Sequence, residues 1–265
     1  MAKVKTLILR APGTNCDGET AFAFEQAGAK ISSVHVNRLM RREEILADYQ
    51  IFVIPGGFSY GDDIAAGKVL ANELNLKLEQ ELPRFIKAGG LILGICNGFQ
   101  VMVKAGLLPK PSAGGEQSVT LTNNDSGKFE CRWSYLAVNA KSPCVFTRGI
   151  DRMYLPVAHG EGKFRADTGA LSDSNIVLTY SDAEASDSVG YPDNPNGSER
   201  NIAGICDRSG RVFALMPHPE RSFLKWQWPW MPGDLKDEIK ESPWIQMFQN
   251  AREWCDRVNT PLPQR

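Results

Sequence analysis

Short strand-like runs alternate with helix-like segments through the first hundred residues of the chain. The strand-like runs lie at residues 6–10, 30–36, 51–54 and 91–95. Segments of helical composition lie between them, at residues 19–27, 41–49 and 69–88. The last of these segments has a predicted break near Pro83. This alternation predicts an α/β fold with a mostly parallel, doubly wound sheet that is flanked by helices.

The second half of the chain changes to alternating apolar and polar positions with frequent turn signals, as in SVTLTNNDSGKFECRW. We interpret residues 115–170 as an antiparallel extension of the same sheet, so residues 1–265 are expected to form a single domain. The polar residues 182–199 are rich in Ser, Asp, Asn, Pro and Gly, and they predict a long loop.

Two further elements are predicted near the C-terminal end. Residues 202–206 and 211–216 have the pattern of a hairpin, with the turn at Arg208-Ser209-Gly210. Residues 242–258 predict a terminal helix with Pro243 in its first turn, where the missing N–H is tolerated.

The overall composition excludes several classes of protein. Hydrophobic residues make up 42% and charged residues 23% of the 265-residue chain, as in ordinary soluble proteins. The formal net charge of -1 gives no general attraction to nucleic acid or to an anionic membrane, so we expect neither as a partner. No segment has the pattern of a signal peptide or a membrane span.

Cysteine and histidine usage indicates the compartment. The six cysteines show no paired C-x-x-C spacing, and a chain of this length does not depend on disulfides, so we expect reduced thiols and a cytoplasmic location. The three histidines do not lie at metal-ligand spacing from cysteines, which predicts no metal held by this chain.

The sequence GICNG follows the fourth apolar run and precedes an apolar segment with helical character. A glycine two residues before and two residues after Cys96 is typical of a strand-to-helix elbow, in which larger flanking side chains would clash. The helix N-terminus behind the thiol favours its nucleophilic thiolate form. The alternative is an ordinary buried cysteine, a residue type that is often found in protein cores.

The sequence PHPE, at the end of the predicted hairpin, contains the second candidate group. Proline at 219 biases His218 toward an extended conformation, and positions two apart in an extended chain face the same way. Glu220 is therefore expected to orient His218, which would act as general base and acid for Cys96. The alternative is a histidine in a turn beside a solvated glutamate.

Glycines after the third apolar run complete the constellation. Gly56 and Gly57 allow the main chain to approach a ligand closely, so the loop Gly56-Gly57-Phe58-Ser59 is predicted to bring a second N–H beside the Asn97 N–H in an oxyanion hole. An ordinary strand-ending turn is the alternative interpretation of the two glycines.

These motifs carry a family resemblance that runs from about residue 6 to the end of the chain. GICNGFQ, PGGFSYGD and HPE resemble a class I, triad-type glutamine amidotransferase, which has a flavodoxin-like sheet. APGTNCDGE, AHGEGKF and YPDNPNGS resemble, more narrowly, the glutaminase component of phosphoribosylformylglycinamidine synthase. The tail with Trp226, Trp228 and Trp230 is similar to the large fused form of that synthase.

The resemblance assigns roles residue by residue. It implies Cys96 as nucleophile, His218 and Glu220 as its partners, and Gly57 and Asn97 as oxyanion donors. The substrate-binding residues that it implies are Gly56, Phe58, Gln100, His159 and Gly160. For His159, a position that faces a partner subunit and the ammonia path is an equally open alternative.

The implied activity is hydrolysis of glutamine to glutamate and ammonia through a thioester. The ammonia would pass to a synthetase subunit, with a small bridging subunit as a further expected partner, for the ATP-dependent conversion of formylglycinamide ribonucleotide to its amidine in purine biosynthesis. Because the chain has no G-x-x-x-x-G-K-[ST] loop, ATP and magnesium are expected on the partner, and no cofactor is expected in this chain.

Three other functions remain open at this stage. One is a triad amidotransferase of another pathway, which would not be expected to carry APGTNCDGE or YPDNPNGS. Another is a cysteine-elbow hydrolase or stress protein on a related sheet, which usually lacks a late HPE segment. The last is a subunit that only binds and regulates its partner, for which Cys96, His218 and Glu220 would all be unnecessary.

Overall fold

A nine-stranded mixed sheet forms the centre of the protein in the computed structural model, which describes residues 3–111, 117–184, 186, 189–229 and 244–259. The order of its strands is β2-β1-β3-β4-β11-β10-β9-β6-β7, and β5 pairs with β8 in a separate two-stranded sheet. The strands are β1 (Lys5–Arg10), β2 (Lys30–His35), β3 (Ile51–Ile54), β4 (Leu91–Ile95), β5 (Val119–Thr122), β6 (Glu130–Val138), β7 (Arg152–His159), β8 (Lys163–Ala166), β9 (Ile176–Ser181), β10 (Ile202–Cys206) and β11 (Val212–Leu215).

Helices flank this sheet. They are α1 (Asp17–Gln26), α2 (Val36–Met40), α3 (Lys68–Lys77), α4 (Glu81–Lys87), α5 (Asn97–Lys104) and α6 (Ile245–Asn259). Short 3-10 turns at residues 46–48, 59–62, 173–175, 199–201, 219–221 and 225–227 connect them to the strands. Among the helices that the structure describes, none combines the length and apolarity needed to cross a membrane.

The strands β2, β1, β3, β4 and β11 are mutually parallel, which confirms the predicted doubly wound sheet. Their order is the flavodoxin-like 2-1-3-4-5 order when β11 is counted as the fifth parallel strand. Strands β3, β4 and β11 are buried along their whole length, as expected for strands covered on both faces.

The antiparallel extension is larger than the sequence predicted. The prediction ended it near residue 170, but β9 and β10 also belong to it and connect β6 to β11. Strands β5 and β8, which lie inside the predicted range, form their own small sheet instead. The predicted hairpin is confirmed, because β10 and β11 pair in antiparallel fashion.

Two predicted helix boundaries are wrong. Residues 41–49 do not form an α-helix: α2 lies before them, and Arg42 takes a left-handed φ of 56°, which ends regular helix. Within this range only the 3-10 turn at residues 46–48 is helical. The break in the segment 69–88 does not fall at Pro83 but between Lys77 and Glu81. Pro83 lies in the first turn of α4. A backbone N–H at this position would have no acceptor within the helix, so the lack of an N–H on proline costs no hydrogen bond.

The terminal helix α6 begins at Ile245, close to the predicted start, while the predicted first residues 242 and 243 lie outside the described residues. It packs against α1 through Phe248, whose ring meets that of Phe24 edge to face at a centroid distance of 5.0 Å. Both rings are fully buried, so α6 contributes directly to the core beside the sheet.

Replacement of Phe248 by alanine should destabilise the protein by about 3 to 5 kcal/mol, because it removes a buried ring and leaves a cavity. Val258→Ala, on the same helix at a residue that is 57% exposed, is the matched control and should change the free energy of unfolding by less than about 0.5 kcal/mol. Urea denaturation of the two variants measures both effects, and equal stabilities would contradict the packing of α6 on α1.

Candidate active site

Cys96 stands between the last residue of β4 and the first residue of α5, in a strained conformation with φ 52° and ψ -106°. A Cβ on Gly98 would lie 2.8 Å from the carbonyl carbon of Ile54, and one on Gly94 would lie 2.9 Å from the carbonyl oxygen of Gly98. Only glycine fits at these two positions, so the sharp elbow predicted from GICNG is confirmed.

His218 and Glu220 form a buried pair beside this elbow. His218 Nδ1 and Glu220 Oε1 lie 2.6 Å apart, and the two side chains are 3% and 0% exposed. The His218 N–H donates to the Pro156 carbonyl at 2.8 Å, which fixes the backbone. The pair forms through a 3-10 turn at residues 219–221 and not through the extended chain that the sequence suggested.

The imidazole is electrostatically coupled to its neighbours. Burial alone lowers the pKa of His218, but the Glu220 carboxylate and the Cys96 sulfur outweigh burial and raise that pKa well above its usual value. Within the described part of the chain, the His218 Nε2 atom has no hydrogen-bond partner. The ring therefore has one nitrogen paired with Glu220 and the other, Nε2, without a partner beside Cys96.

The backbone N–H groups of Gly57 and Asn97 make no hydrogen bond to any described residue, so both are free to donate to an oxyanion. The neighbouring Gly56 packs directly on the histidine, since a Cβ there would lie 2.9 Å from His218 Cε1. Phe58 follows at the surface and is 46% exposed, with its ring 6.4 Å from that of Phe129.

Gln100 lies in the first turns of α5 and is buried in a polar chain. Its Nε2 donates to the Glu161 carbonyl at 2.7 Å, and its Oε1 accepts from Asn97 Nδ2 at 2.9 Å. The Asn97 side chain also accepts from the Ser59 N–H at 3.2 Å. The structure therefore joins the helix of the elbow to the loop after Gly57 and to the segment around residue 161.

His159 is buried inside this segment rather than facing solvent. Its Nδ1 lies 3.1 Å from Asn124 Oδ1, and its Nε2 lies 3.4 Å from Asn196 Nδ2. Burial lowers the pKa of His159 to about 4, with a smaller contribution from His218, so the ring is neutral at physiological pH. Both ring nitrogens face asparagines, so the ring holds the segment in place, and the neighbouring Gly160 carbonyl accepts from the Asn124 N–H at 2.9 Å.

The stretch YPDNPNGS supplies part of that support. Asn196 donates to the Gly162 carbonyl at 2.9 Å and to the Tyr180 hydroxyl at 3.2 Å, and Ser198 Oγ accepts from the Phe164 N–H at 2.9 Å. The polar loop predicted for residues 182–199 is thus anchored through buried side chains in its second half.

Sequence reasoning did not single out Cys16 as part of this site. Its sulfur accepts a hydrogen bond from Arg221 Nη2 at 3.2 Å and lies against the His218 ring. Burial raises the pKa of the Cys16 thiol, although His218 and Arg221 oppose the shift. Its place after β1, at the carboxyl edge of a parallel sheet, is the signal that could have revealed it.

Cys16, His218 and Glu220 each bring one possible metal-ligand atom within 4.8 Å of the others. Nδ1 of the histidine and one oxygen of Glu220 are already paired with each other, and the sulfur accepts from the cationic Arg221. A guanidinium at the sulfur opposes a second cation, so the donor set suits proton transfer better than metal binding.

The parallel sheet, the cysteine elbow and the buried His–Glu pair are together the features of a triad-type glutamine amidotransferase. A family model described as a CobB/CobQ-like glutamine amidotransferase domain matches residues 3–255. The chain belongs to this glutamine amidotransferase family and, within it, to the PurQ subunits of phosphoribosylformylglycinamidine synthase.

The similarity to individual PurQ proteins spans nearly the whole chain. Phosphoribosylformylglycinamidine synthase subunit PurQ of Dehalococcoides mccartyi is 54% identical, over 97% of this chain and 100% of that protein. The PurQ of Methanococcus maripaludis is 44% identical, over 96% of this chain and 98% of that one. A chain in the structure of PurLQS from Thermotoga maritima superposes with a TM-score of 0.72 at 33% identity, covering 96% and 99% of the two chains.

His159→Asn should weaken the loss of stability on acidification. Between pH 6.5 and about 4 the unfolded chain binds a proton at this histidine and the folded chain does not, so its contribution is complete above pH 6.5 and is lost as the pH falls to about 4. The contribution of His159 to the free energy of unfolding that is lost over this pH range corresponds to roughly 3 kcal/mol. Urea denaturation of both proteins across this pH range measures it, and parallel pH profiles would contradict a buried neutral ring.

Proposed function

We propose that this chain is the glutaminase of a phosphoribosylformylglycinamidine synthase and that Cys96, His218 and Glu220 carry out its chemistry. Glutamine is hydrolysed to glutamate and ammonia, and the ammonia is used in the ATP-dependent conversion of formylglycinamide ribonucleotide to formylglycinamidine ribonucleotide. The observation that carries the assignment of residues is the buried His218–Glu220 pair, with its free Nε2 on the side of the Cys96 elbow.

The first half of the reaction forms a thioester. The Cys96 thiolate attacks the side-chain carboxamide carbon of glutamine, an S–C bond forms, and the carbonyl π electrons move to oxygen. The N–H groups of Gly57 and Asn97 stabilise this oxyanion. When the oxyanion collapses, the C–N bond breaks and the His218 imidazolium gives its proton to the leaving nitrogen, which departs as ammonia.

The second half of the reaction releases glutamate. Neutral His218 takes a proton from water, and the resulting hydroxide attacks the thioester carbon. The S–C bond then breaks, which returns the electron pair to the Cys96 sulfur and leaves a carboxylic acid, which gives its proton to water and becomes the carboxylate of glutamate. Glu220 holds the ring in the tautomer that presents Nε2 and stabilises the imidazolium in both halves.

The predicted substrate contacts divide into two groups in this proposal. The first group contains Gly56, which packs on the His218 ring, Gly160, and Phe58, whose ring is exposed. Gln100 and His159 act from behind this surface, because their side chains are buried in hydrogen bonds to Asn97, Glu161 and two asparagines.

The partner in this proposal is the synthetase subunit, with a small bridging subunit as a second component. The solved structure from Thermotoga maritima is that of PurLQS, and the chain in it that superposes on this protein shares its fold. ATP and magnesium belong to the synthetase. A cytoplasmic location agrees with the six cysteines, all of which are free thiols.

Cys96→Ala should abolish glutamine-dependent synthesis in the complex with the synthetase, while synthesis from free ammonium remains. The alanine variant lacks only the nucleophile, so the synthetase reaction itself is unaffected. Product formation with each nitrogen source measures the effect, and equal loss with glutamine and with ammonium would exclude Cys96 as the nucleophile.

A glutamine analogue with a diazo-ketone should alkylate Cys96 with loss of dinitrogen. Among the six cysteines only Cys131 is exposed, so it is the residue that simple accessibility would favour. Mass mapping should find the label on Cys96 in wild type and in Cys131→Ser. A label that disappears in Cys131→Ser would show surface alkylation instead of active-site chemistry.

A further inference from the structure

The loop between β1 and α1 contacts both residues 56–58, which we call the oxyanion strand, and His218. The N–H groups of Asn15 and Cys16 donate to the Gly56 carbonyl at 3.3 and 3.2 Å, and the Phe58 N–H donates to the Gly13 carbonyl at 2.9 Å. Thr14 and Gly57 form an isolated antiparallel bridge between these hydrogen bonds. Residues 13–16, which we call the β1 loop, therefore act as a short strand that pairs with residues 56–58.

This pairing decides where the Gly57 N–H points. In an extended chain, the C=O of one residue and the N–H of the second residue after it lie on the same side, and the groups of the residue between them lie on the other. The C=O of Gly56 and the N–H of Phe58 both face the β1 loop. The peptide between Gly56 and Gly57 is planar, so the Gly57 N–H is held pointing away from the loop, toward the site.

The same loop reaches the histidine through a side chain. The Cys16 sulfur donates to Asn15 Oδ1 and accepts from Arg221 Nη2, both at 3.2 Å, and Arg221 Nε pairs with Glu19 at 3.3 Å. A Cβ on Gly56 would lie 3.1 Å from this sulfur and 2.9 Å from His218 Cε1. The sulfur and the imidazole thus meet across a glycine, and Cys16 as a whole is buried.

We propose that the β1 loop is the positioning element of the active site. It fixes the orientation of the Gly57 N–H as oxyanion donor, and through Cys16 it fixes the position of the His218 ring. This inference rests on the proposed function, because it presupposes that Cys96 forms a tetrahedral adduct. In this role Cys16 does not touch the substrate; it is a positioning residue.

Gly13 offers a direct way to separate the loop from the oxyanion strand. Its φ is 86°, and a Cβ there would lie 2.8 Å from the carbonyl carbon of Phe58, so alanine must push the β1 loop away from residues 56–58. Gly28 is the matched control, because its φ is 89° and a Cβ there meets nothing within 4 Å. Both alanine variants carry the same backbone strain, but only one displaces the loop.

The probe is glutamate γ-semialdehyde, whose open-chain form, in equilibrium with the cyclic imine that it forms with its own amino group, accepts the Cys96 sulfur at the aldehyde carbon. An S–C bond forms, the carbonyl electron pair moves to oxygen, and the thiol proton stays on His218, so the adduct keeps an oxyanion in the oxyanion hole. Alkylation of Cys96 by iodoacetamide, in which iodide leaves, needs the thiolate but no oxyanion donor. Both measurements are made in a Cys131→Ser background to remove the exposed thiol.

We expect Gly13→Ala to bind the semialdehyde about 100-fold more weakly than the parent, the loss typical of one oxyanion donor. Its alkylation rate at Cys96 should fall by no more than about tenfold, the loss expected from a shifted His218 alone, which also shows that the elbow is folded. Gly28→Ala should match the parent in both measurements. Unchanged semialdehyde binding in Gly13→Ala would overturn the inference, whereas a parent protein that forms no adduct would refute the proposed function itself.

Cys16 variants test the second contact independently. Cys16→Ala in the complex should lower kcat for glutamine by about tenfold, as expected for a misplaced general base, with KM changed less than twofold. The pH profile of kcat should shift as well, and Cys16→Ser, which can still bond to Asn15 and Arg221, should recover part of the loss. Cys255→Ala is the control for packing alone, because it removes a different buried thiol, which lies on α6 and away from the site. Equal behaviour of Cys16→Ala and Cys255→Ala would overturn the role of Cys16.

Discussion

The parallel pairing of β4 with β11 is the constraint on which the rest of the site depends. Leu215 stands in register with Ile95, and the Cys96 N–H donates to the Leu215 carbonyl at 2.8 Å. Two segments that are far apart in the chain therefore end side by side at the carboxyl edge of the sheet. One supplies a thiol on a strained elbow and the other supplies His218, and no local interaction could bring the two together.

The histidine side of this arrangement depends on burial. An ion pair taken out of water is stable only if its hydrogen bonds are well made, and the 2.6 Å contact between His218 and Glu220 meets that condition on one side of the ring. On the other side, His218 Nε2 and the second oxygen of Glu220 have no partner among the described residues. Such unsatisfied buried atoms are costly, and the unpaired Nε2 fits the proton transfer that we propose for His218.

Two stretches that first served only as markers of the family have physical tasks in the fold. APGTNCDGE contains the β1 loop, which pairs with the oxyanion strand and reaches His218. YPDNPNGS contains Asn196, which joins the ring of His159 to the Gly162 carbonyl and supports the segment opposite the elbow. Both stretches support the residues around the proposed reacting atoms. A change in either is therefore expected to move those residues without removing a reacting group.

The sequence by itself determined the elements whose causes are local. Gly94 and Gly98 on the two sides of Cys96 mark the elbow, and apolar runs mark the buried parallel strands. Tertiary structure alone decided the extent of the antiparallel region, the task of Cys16 and the burial of His159. These depend on register and on hydrogen bonds between distant segments, which no pattern of neighbouring residues encodes, because strand pairing is set by the whole sheet.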